Sequence, residues 1–336
     1  MCKSIAHFFY PISVLEKDEI LNKCMEIHID AITTIGTDIC IPTIAFVAEK
    51  MNLISNTYNS SILATNTEKM RNAFEIHNVN SPKSKAVSYF EENTFINFNF
   101  PLIVKPTDRS GSRGVEKVEN ETELKAAIER AKAESIEKRV VVEEFITGIE
   151  VSVESISWNG EHHILAITDK VTSEDPYFVE LEHHQPSSLP NEIQNKIKKE
   201  TLKALNALDI KFGASHTELK INSKGEAYLI EVGARMGGDF IGSTLVNLST
   251  GFDYLKAVIE MALGNYYFQK SKDHQYAGVY FLSKNTEYLL NTFNLEADYI
   301  VEKQILNNEL KNIQNSNDRS GYIIYKSDKK INFKKN

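Results

Sequence analysis

Cysteine is scarce in this 336-residue chain and badly placed for pairing. Cys2, Cys24 and Cys40 are odd in number, scattered, and form no CxxC pair. That argues against a disulfide framework and for reduced, structural thiols of the kind found in the cytoplasm. No apolar run approaches the roughly 20 residues needed to cross a bilayer. The opening MCKSIAHFFYPISVLEKDE is too short and too interrupted in its apolar stretch for a secretory leader. Positive charge is in deficit: 38 Lys and Arg stand against 46 Asp and Glu, a net charge of −8. That balance argues against a nucleic-acid partner held by phosphate neutralisation. Neither an internal repeat nor a low-complexity domain is present. What remains, 42% hydrophobic and 25% charged residues, is ordinary soluble globular material long enough for two or three subdomains. The expectation is a cytoplasmic protein with no membrane segment and no nucleic-acid partner.

The densest chemistry lies between residues 215 and 239, SHTELKINSKGEAYLIEVGARMGGD. Two alternating runs, His216 to Ile221 and Glu226 to Val232, flank a turn-forming Asn222-Ser223-Lys224-Gly225 and read as an antiparallel hairpin. Pairing Ile221 with Glu226 would set Glu218 opposite Leu229 and His216 opposite Glu231. Glu218 and Glu231 then become diagonal neighbours on one face, roughly 7–8 Å apart at the backbone. Two carboxylates so placed can close on a cation, and Mg²⁺ carrying nucleotide phosphates is the usual guest. A one-residue slip would put them on opposite faces. Arg235 and Gly237-Gly238 follow, a fixed cation and a backbone able to approach an anion closely.

Toward the N-terminus, helical spacing over Asp18 to His28 precedes a predicted strand, Ile29 to Ile35, and a loop at Gly36-Thr37-Asp38. Pro42 then opens a helix where proline is best tolerated. This reads as part of a parallel α/β layer, shortened because no glycine-rich first strand-and-turn precedes it. Thr37 and Asp38 lie where such layers place ligands, or equally form a turn and a helix cap. A single helix is predicted over Ser61 to His77, carrying Lys69. Pro101 to Lys105 is an apolar strand ending on lysine, followed by Asp108-Arg-Ser-Gly-Ser-Arg-Gly114 and a second extended stretch, Val115 to Val118. Taken alone the glycine loop is a hairpin turn, though its N–H groups can fold over a polyphosphate. A helix capped by Asn120 with Glu123 runs to Ser135. Strands are predicted over Arg139 to Phe145 and Ile149 to Ser157, with Phe145 to Gly148 as a hinge between them. Tyr177 to Pro190 reads as a polar loop in which His183 and His184 lack a third metal ligand and face solvent or substrate. A helix over Asn191 to Leu208 leads into the hairpin, and a further helix runs from Phe252 to Leu263. Strands near Ala277 to Leu282 and Gly321 to Tyr325 follow.

In this order the motifs resemble the ATP-grasp enzymes: Lys69, VKP with Lys105, the glycine loop, VVEEF-x-x-G-x-E, TELK and IEVGAR. The phrases HHQPS, SHTELK, EVGARMGGDFIG and LSTGFD are similar to the carboxylate–amine ligases of the L-amino-acid ligase and carbamoyl-phosphate-synthase-like group. The resemblance implies an α/β (α+β) chain with the ATP-grasp fold. A shortened N-terminal Rossmann-like domain would take residues 1–80 and the ATP-grasp domain 81–265, its lid at about 100–172. A small C-terminal β-rich subdomain would take 266–336. It further implies ATP contacts from Lys69, Lys105, Ser110, Gly111, Ser112 and Gly114. Glu143, Glu144, Phe145 and Ile146 would line the adenine, and Glu150 would take the ribose hydroxyls. Glu218 and Glu231 would hold Mg²⁺, with Lys105 and Arg235 as catalytic cations. Where the family carries an asparagine two residues after the second metal glutamate this chain has Gly233, so one Mg²⁺ is expected and a second would need water in place of that side chain.

The function so implied is an ADP-forming ligase that activates a carboxylate as an acyl phosphate and joins it to an amine, with small, amino-acid-like substrates. Two other readings stay open at this point. One is a bicarbonate-activating or carbamoyl-phosphate-synthase-like enzyme, and the other an ATP-binding subunit without turnover. A homodimer is compatible with each.

Overall fold

The computed structural model describes residues 4–111, 113–173, 175, 177–269 and 274–335. Its N-terminal part is helical: α1 (Lys17–Glu26), α2 (Ile41–Met51), α3 (Tyr58–Thr65) and α4 (Thr67–Ile76). The predicted strand Ile29 to Ile35 is corrected here, since no strand occurs among the described residues before Ser84. With no neighbouring strand to pair, that segment runs as coil, and the Ile35 carbonyl instead accepts from Met236 N–H at 3.1 Å. The helix predicted over Ser61 to His77 is two helices. Asn66, in an extended conformation, ends α3, and its side chain accepts from Lys69 N–H at 3.1 Å to start α4. Asparagine competes in this way with helix continuation.

A four-stranded antiparallel sheet follows, built from β1 (Ser84–Val87), β2 (Leu102–Pro106), β3 (Glu116–Val118) and β4 (Val140–Glu144) in the order β1-β4-β2-β3. Its apolar residues, among them Leu102, Val104 and Val142, bury against Leu124 and Ile128 of α5 (Glu121–Glu134). The expected cap is present: Asn120 accepts from Glu123 N–H at 3.0 Å, and Glu123 accepts from Glu119 N–H at 2.8 Å.

The larger sheet comprises β5 (Ile149–Trp158), β6 (Glu161–Thr172), β7 (Glu180–Gln185), β8 (Gly213–Ile221), β9 (Ala227–Gly233), β10 (Tyr276–Leu282), β11 (Ile300–Ile305) and β12 (Gly321–Ser327). Its order is β11-β12-β10-β7-β6-β5-β8-β9. The residues expected to form a separate C-terminal unit thus supply three strands to the same sheet. The predicted polar loop Tyr177 to Pro190 is corrected too, because its centre is β7, hydrogen-bonded between β6 and β10. His184 is buried there, bonded to Glu182 and Tyr325 at 3.0 Å each. One face of the sheet packs on α6 (Asn191–Ala207), where Ile197, Leu205 and Leu208 meet Val151, Val153, Leu219 and Leu229. Short α7 (Val246–Thr250) and α8 (Tyr254–Ala262) lie beyond the hairpin, and α8 buries Tyr254, Val258 and Met261 against Ile156 and Met236.

Candidate active site

The hairpin β8–β9 forms where expected, but in a different register. Ile221 pairs with Ala227 and Leu219 with Leu229, one residue away from the predicted alignment. Continued regularly, that pairing would set Glu218 opposite Ile230 and leave Glu231 on the other face. A β-bulge intervenes: after Leu219↔Leu229 the next pair is Glu218↔Glu231, with Ile230 as the extra residue. The bulge restores the parity that the shifted register removes, so the two carboxylates are direct cross-strand partners. Both line a cleft of ≈ 300 Å³.

Charge around the pair is arranged unequally. Glu218 Oε1 accepts from Lys170 Nζ at 2.7 Å and contacts His216 Nε2 at 3.3 Å. Burial raises its pKa, but Lys170 and His216 overcome that and hold it well below the usual carboxylate range. Glu231 goes the other way: burial, then repulsion from Glu218 and Asp38, push it up against the pull of Lys105 and Arg235. Among the described residues no ion pair or hydrogen bond engages the Glu231 carboxylate. Neither does a group of three or more His, Cys, Asp or Glu side chains form a complete metal cage among them. A half-buried carboxylate short of positive charge beside a second one with a free oxygen fits Mg²⁺, which takes one or two carboxylates and fills its shell with water and phosphate oxygens.

Lys170, on β6, is the main cation that sequence reading missed. Buried, it reaches Glu150 and Glu218 at 2.7 Å each and Glu180 at 3.4 Å. Burial depresses an ammonium, yet the three carboxylates raise its pKa well above the ordinary value. His216 is gripped similarly. Its Nδ1 bonds Glu154 and its Nε2 faces Glu218. Burial lowers its pKa, but Glu154, supported by Glu218, lifts it to about 9. Glu154 also accepts from Gly237 N–H at 2.9 Å, tying the loop after β9 to the sheet.

Arg235 lines the cleft with its guanidinium held by Asp38, Nε to Oδ1 at 3.0 Å and Nη2 to Oδ2 at 2.8 Å, while Nη1 donates to the Met236 carbonyl at 3.0 Å. Three of its five N–H groups are so used, and two remain to donate. Gly233 is required by this pair: a Cβ there would lie 2.7 Å from Asp38 Oδ1 and 3.1 Å from Arg235 Nε. The space of the missing side chain is occupied by an N-terminal carboxylate, Asp38, whose position beyond a supposed strand had marked it in the sequence.

The small sheet supplies the opposite wall. Lys105, Ser110, Gly111, Glu143, Glu144, Phe145, Ile146 and Glu150 all line the same cleft. Two expected members stand apart from it. Lys69 is exposed on α4, and Gly114 packs toward Pro106 and Glu134 at the end of the loop. Ser112 lies outside the described residues. Thr67, not Lys69, reaches the cleft from α4. Glu143 is buried and already spent, paired with Arg71 at 2.7 Å and Lys105 at 2.9 Å, so its carboxylate positions a lysine and does not present itself to an adenine. The Phe145 N–H is likewise taken, by the Pro101 carbonyl at 3.0 Å. Gly111 and Gly114 both adopt the left-handed backbone region, φ +68° and +72°, which glycine enters without strain. An adjacent acid–base pair, Asp169-Lys170, directly after the apolar run Ile164 to Ile167 and Thr168, was the available signal for Lys170.

A second cavity of ≈ 560 Å³ adjoins the first across Lys170, His216, Glu218 and Arg235. Its far wall comes from Arg113, Lys117, Tyr177, His183, Asp239 and the stretch Gln314 to Ser316. Asp239 is fixed there by Arg319 at 2.7 Å, and Arg319 lies over the Phe281 ring at 3.9 Å. The geometry is a polar cleft with a carboxylate pair and three cations at its centre, a glycine loop at one mouth and a second chamber behind.

Residues 98–243 match the ATP-grasp domain. The chain carries an ATP-grasp domain. Alanine–anticapsin ligase of Bacillus subtilis (strain 168) is 31% identical over 272 residues, 70% of this chain and 57% of the relative. D-alanine–D-alanine ligase of Flavobacterium johnsoniae is 33% identical over 138 residues, 39% of this chain and 42% of the relative. The chain thus spans 57% of the length of the alanine–anticapsin ligases it matches. The solved L-amino acid ligase from Bacillus licheniformis shares the fold, with a TM-score of 0.79 over 95% of this chain and 82% of that one at 24% identity. The α/β ATP-grasp architecture and the resemblance to carboxylate–amine ligases are therefore established. Among the described residues no helix is long and apolar enough to cross a membrane.

Proposed function

We propose that this chain is an ADP-forming carboxylate–amine ligase that activates its acid as an acyl phosphate. The observation that carries the reading is the bulged pairing of Glu218 with Glu231 in one cleft with Lys105, Lys170 and Arg235. The ligases named above support it, and they point to an amino acid as one of the two substrates. Glu218 and Glu231 would hold Mg²⁺, which when bound supplies charge neutralisation for the triphosphate.

In the first step a substrate carboxylate oxygen attacks the γ-phosphorus of ATP. The bond to the β,γ-bridging oxygen breaks and ADP departs. This chemistry asks for alignment and charge compensation and needs no protein nucleophile. Lys105 and Lys170 place ammonium groups in the cleft for that purpose. In the second step an amine nitrogen attacks the acyl carbon, phosphate leaves with the C–O bonding pair, and the nitrogen sheds its proton. The two uncommitted N–H groups of Arg235 are suited to hold the carboxylate and then the tetrahedral oxyanion, and Asp38 prevents the guanidinium from swinging away.

Oxygen-18 placed in the substrate carboxylate should appear in the released phosphate, and hydroxylamine should trap a hydroxamate. A screen of amino acids and other carboxylate and amine pairs for ADP release identifies the substrates. AMP and pyrophosphate as products, or label absent from phosphate, would refute the acyl-phosphate route.

A further inference from the structure

The polar face of α4 carries an inference that rests on the ligase reading for the roles of Lys105 and Glu231 but assigns a residue that reading leaves unused. α4 is two-sided. Met70, Ala73 and Phe74 are buried in the core of the large sheet. Its other side is bonded to the small-sheet unit: Thr67 N–H donates to the Thr107 carbonyl at 2.7 Å, Asn66 Nδ2 to Glu137 at 2.8 Å, and Arg139 Nε to Glu68 at 2.6 Å. Arg71 extends between the two units. Its guanidinium, buried with the side chain 3% exposed, donates Nε to Glu143 Oε1 at 2.7 Å and Nη2 to Glu143 Oε2 at 3.2 Å. Nη2 also donates to the carbonyl of Ile230 at 2.6 Å. Glu143 Oε2 is the oxygen that holds Lys105, and Ile230 is the bulge residue that brings Glu231 opposite Glu218.

We propose that Arg71 is a positioning residue for nucleotide binding, acting on both walls of the cleft at once. Through Glu143 it sets Lys105. Without the guanidinium, a fully buried carboxylate would have Lys105 as its sole counter-charge and would draw that ammonium away from phosphate. Through the Ile230 carbonyl it fixes the bulge. A bulge leaves a backbone group outside the ladder, and a buried carbonyl without a donor is costly enough to favour a regular register that turns Glu231 away. A planar guanidinium serves both acceptors together, which a lysine ammonium at the same place does not.

The test uses the full chain, with MgADP as the probe. Arg71→Lys keeps the charge beside Glu143 and gives up the bidentate bond and the bulge contact. It should weaken MgADP binding by about tenfold or more and raise the Mg²⁺ concentration needed for half-maximal binding, the loss typical when a ligand's supporting partner is removed. Glu143→Gln serves as the second variant and covers the case in which Arg71→Lys does not fold. It severs the link to Lys105 while leaving the Ile230 bond, so it should weaken ADP binding without changing the Mg²⁺ dependence. In a Lys105→Met background the Arg71→Lys loss on the nucleotide side should shrink, since the two act through one carboxylate. A merely structural Arg71 would lower the melting temperature and leave MgADP affinity and Mg²⁺ dependence of the folded protein unchanged, and that result overturns the proposal. Failure of the unsubstituted chain to bind MgADP would instead overturn the ligase reading itself, and this inference with it.

Discussion

The two chambers of the cleft share a wall yet are made in different ways. The first cavity draws most of its lining from short contiguous runs, 103–111, 143–150 and the β8–β9 hairpin, joined by Asp38, Thr67, Pro82, Lys170, Phe178 and Glu180 from elsewhere in the chain. The far side takes Arg113 and Lys117 from the small sheet, Tyr177 and His183 around β7, Asp239 beyond the hairpin, and Gln314 to Ser316 from the last part of the chain. Binding a polyphosphate asks for positive charge, free backbone N–H groups and a metal carboxylate pair, which short motifs can encode. On the proposed function the second cavity would take the organic substrate, whose selection asks for a shape, and its lining is drawn from segments that meet only in the folded chain. On that assignment, phosphate chemistry is stored mainly in local motifs and substrate specificity at longer range along the sequence.

The largest effect is expected at the carboxylate pair, of which Glu218 lines both cavities and Glu231 the first. Glu231→Gln should leave the fold intact and reduce ADP formation by roughly 10²–10³-fold or more, the scale of losing an electrostatic group aimed at the reacting charge. Normal turnover of this variant at ordinary Mg²⁺ would remove Glu231 from the mechanism. Lys170→Met tests the wall itself. Because Lys170 lines both chambers, its loss should raise KM for ATP and for the organic substrate together, with Glu150 and Glu218 left in mutual repulsion. An effect confined to one substrate would assign Lys170 to one chamber only.

Asp239→Asn sharpens the contrast from the far side. It should change KM for an organic substrate about tenfold, as for one lost charged contact, with KM for ATP unmoved. A shift in ATP KM instead would merge the chambers functionally. On the near side, cleavage by a protease specific for arginine at Arg109 or Arg113, both in the glycine loop, should slow several-fold when ATP and Mg²⁺ are added, because loops of this kind close over bound phosphates. Equal rates at saturating nucleotide would return the loop to a plain hairpin turn.

The smallest effect concerns acid stability. Burial raises the Glu143 carboxyl, but Arg71 and Lys105 outweigh it and its pKa is lowered from 4.5. A carboxylate with a depressed folded-state pKa contributes stability above the unfolded value and loses it as pH falls through the folded one. Melting temperature should therefore drop as pH falls below about 4.5, and the slope there should be shallower in Glu143→Gln. Parallel slopes would show that Glu143 titrates alike in both states.

Alternation in the hairpin, the asparagine cap at Asn120, and the apolar run ending on Lys105 were legible because each depends on neighbours a few residues away. So were the candidates Glu218, Glu231 and Arg235, whose spacing belongs to one supersecondary unit. The bulge at Ile230 was not legible, since it is bonded by Arg71, 159 residues away in sequence. Nor was the missing strand at Ile29 to Ile35: its composition suits a strand, but a strand exists only where another strand accepts its hydrogen bonds. The histidines of β7 looked solvent- or substrate-facing because polar composition marks a loop until other strands bring Tyr280 and Tyr325 beside His184 and its own strand's Glu182.

By itself the sequence determined the hairpin that carries Glu218 and Glu231, the Asn120 cap and the apolar strand that holds Lys105, because periodicity, capping and charge spacing act over one or two turns of chain; the order of its motifs added the resemblance to the ATP-grasp enzymes. Only the tertiary structure decided which register aligns Glu218 with Glu231, that Asp38 fills the space beside Gly233, and that Lys170 and Arg71 are the buried cations that set the cleft's charge. Those outcomes depend on side chains distant in sequence competing for the same few buried hydrogen-bonding and ion-pairing positions, and that competition is resolved only when the chain is packed.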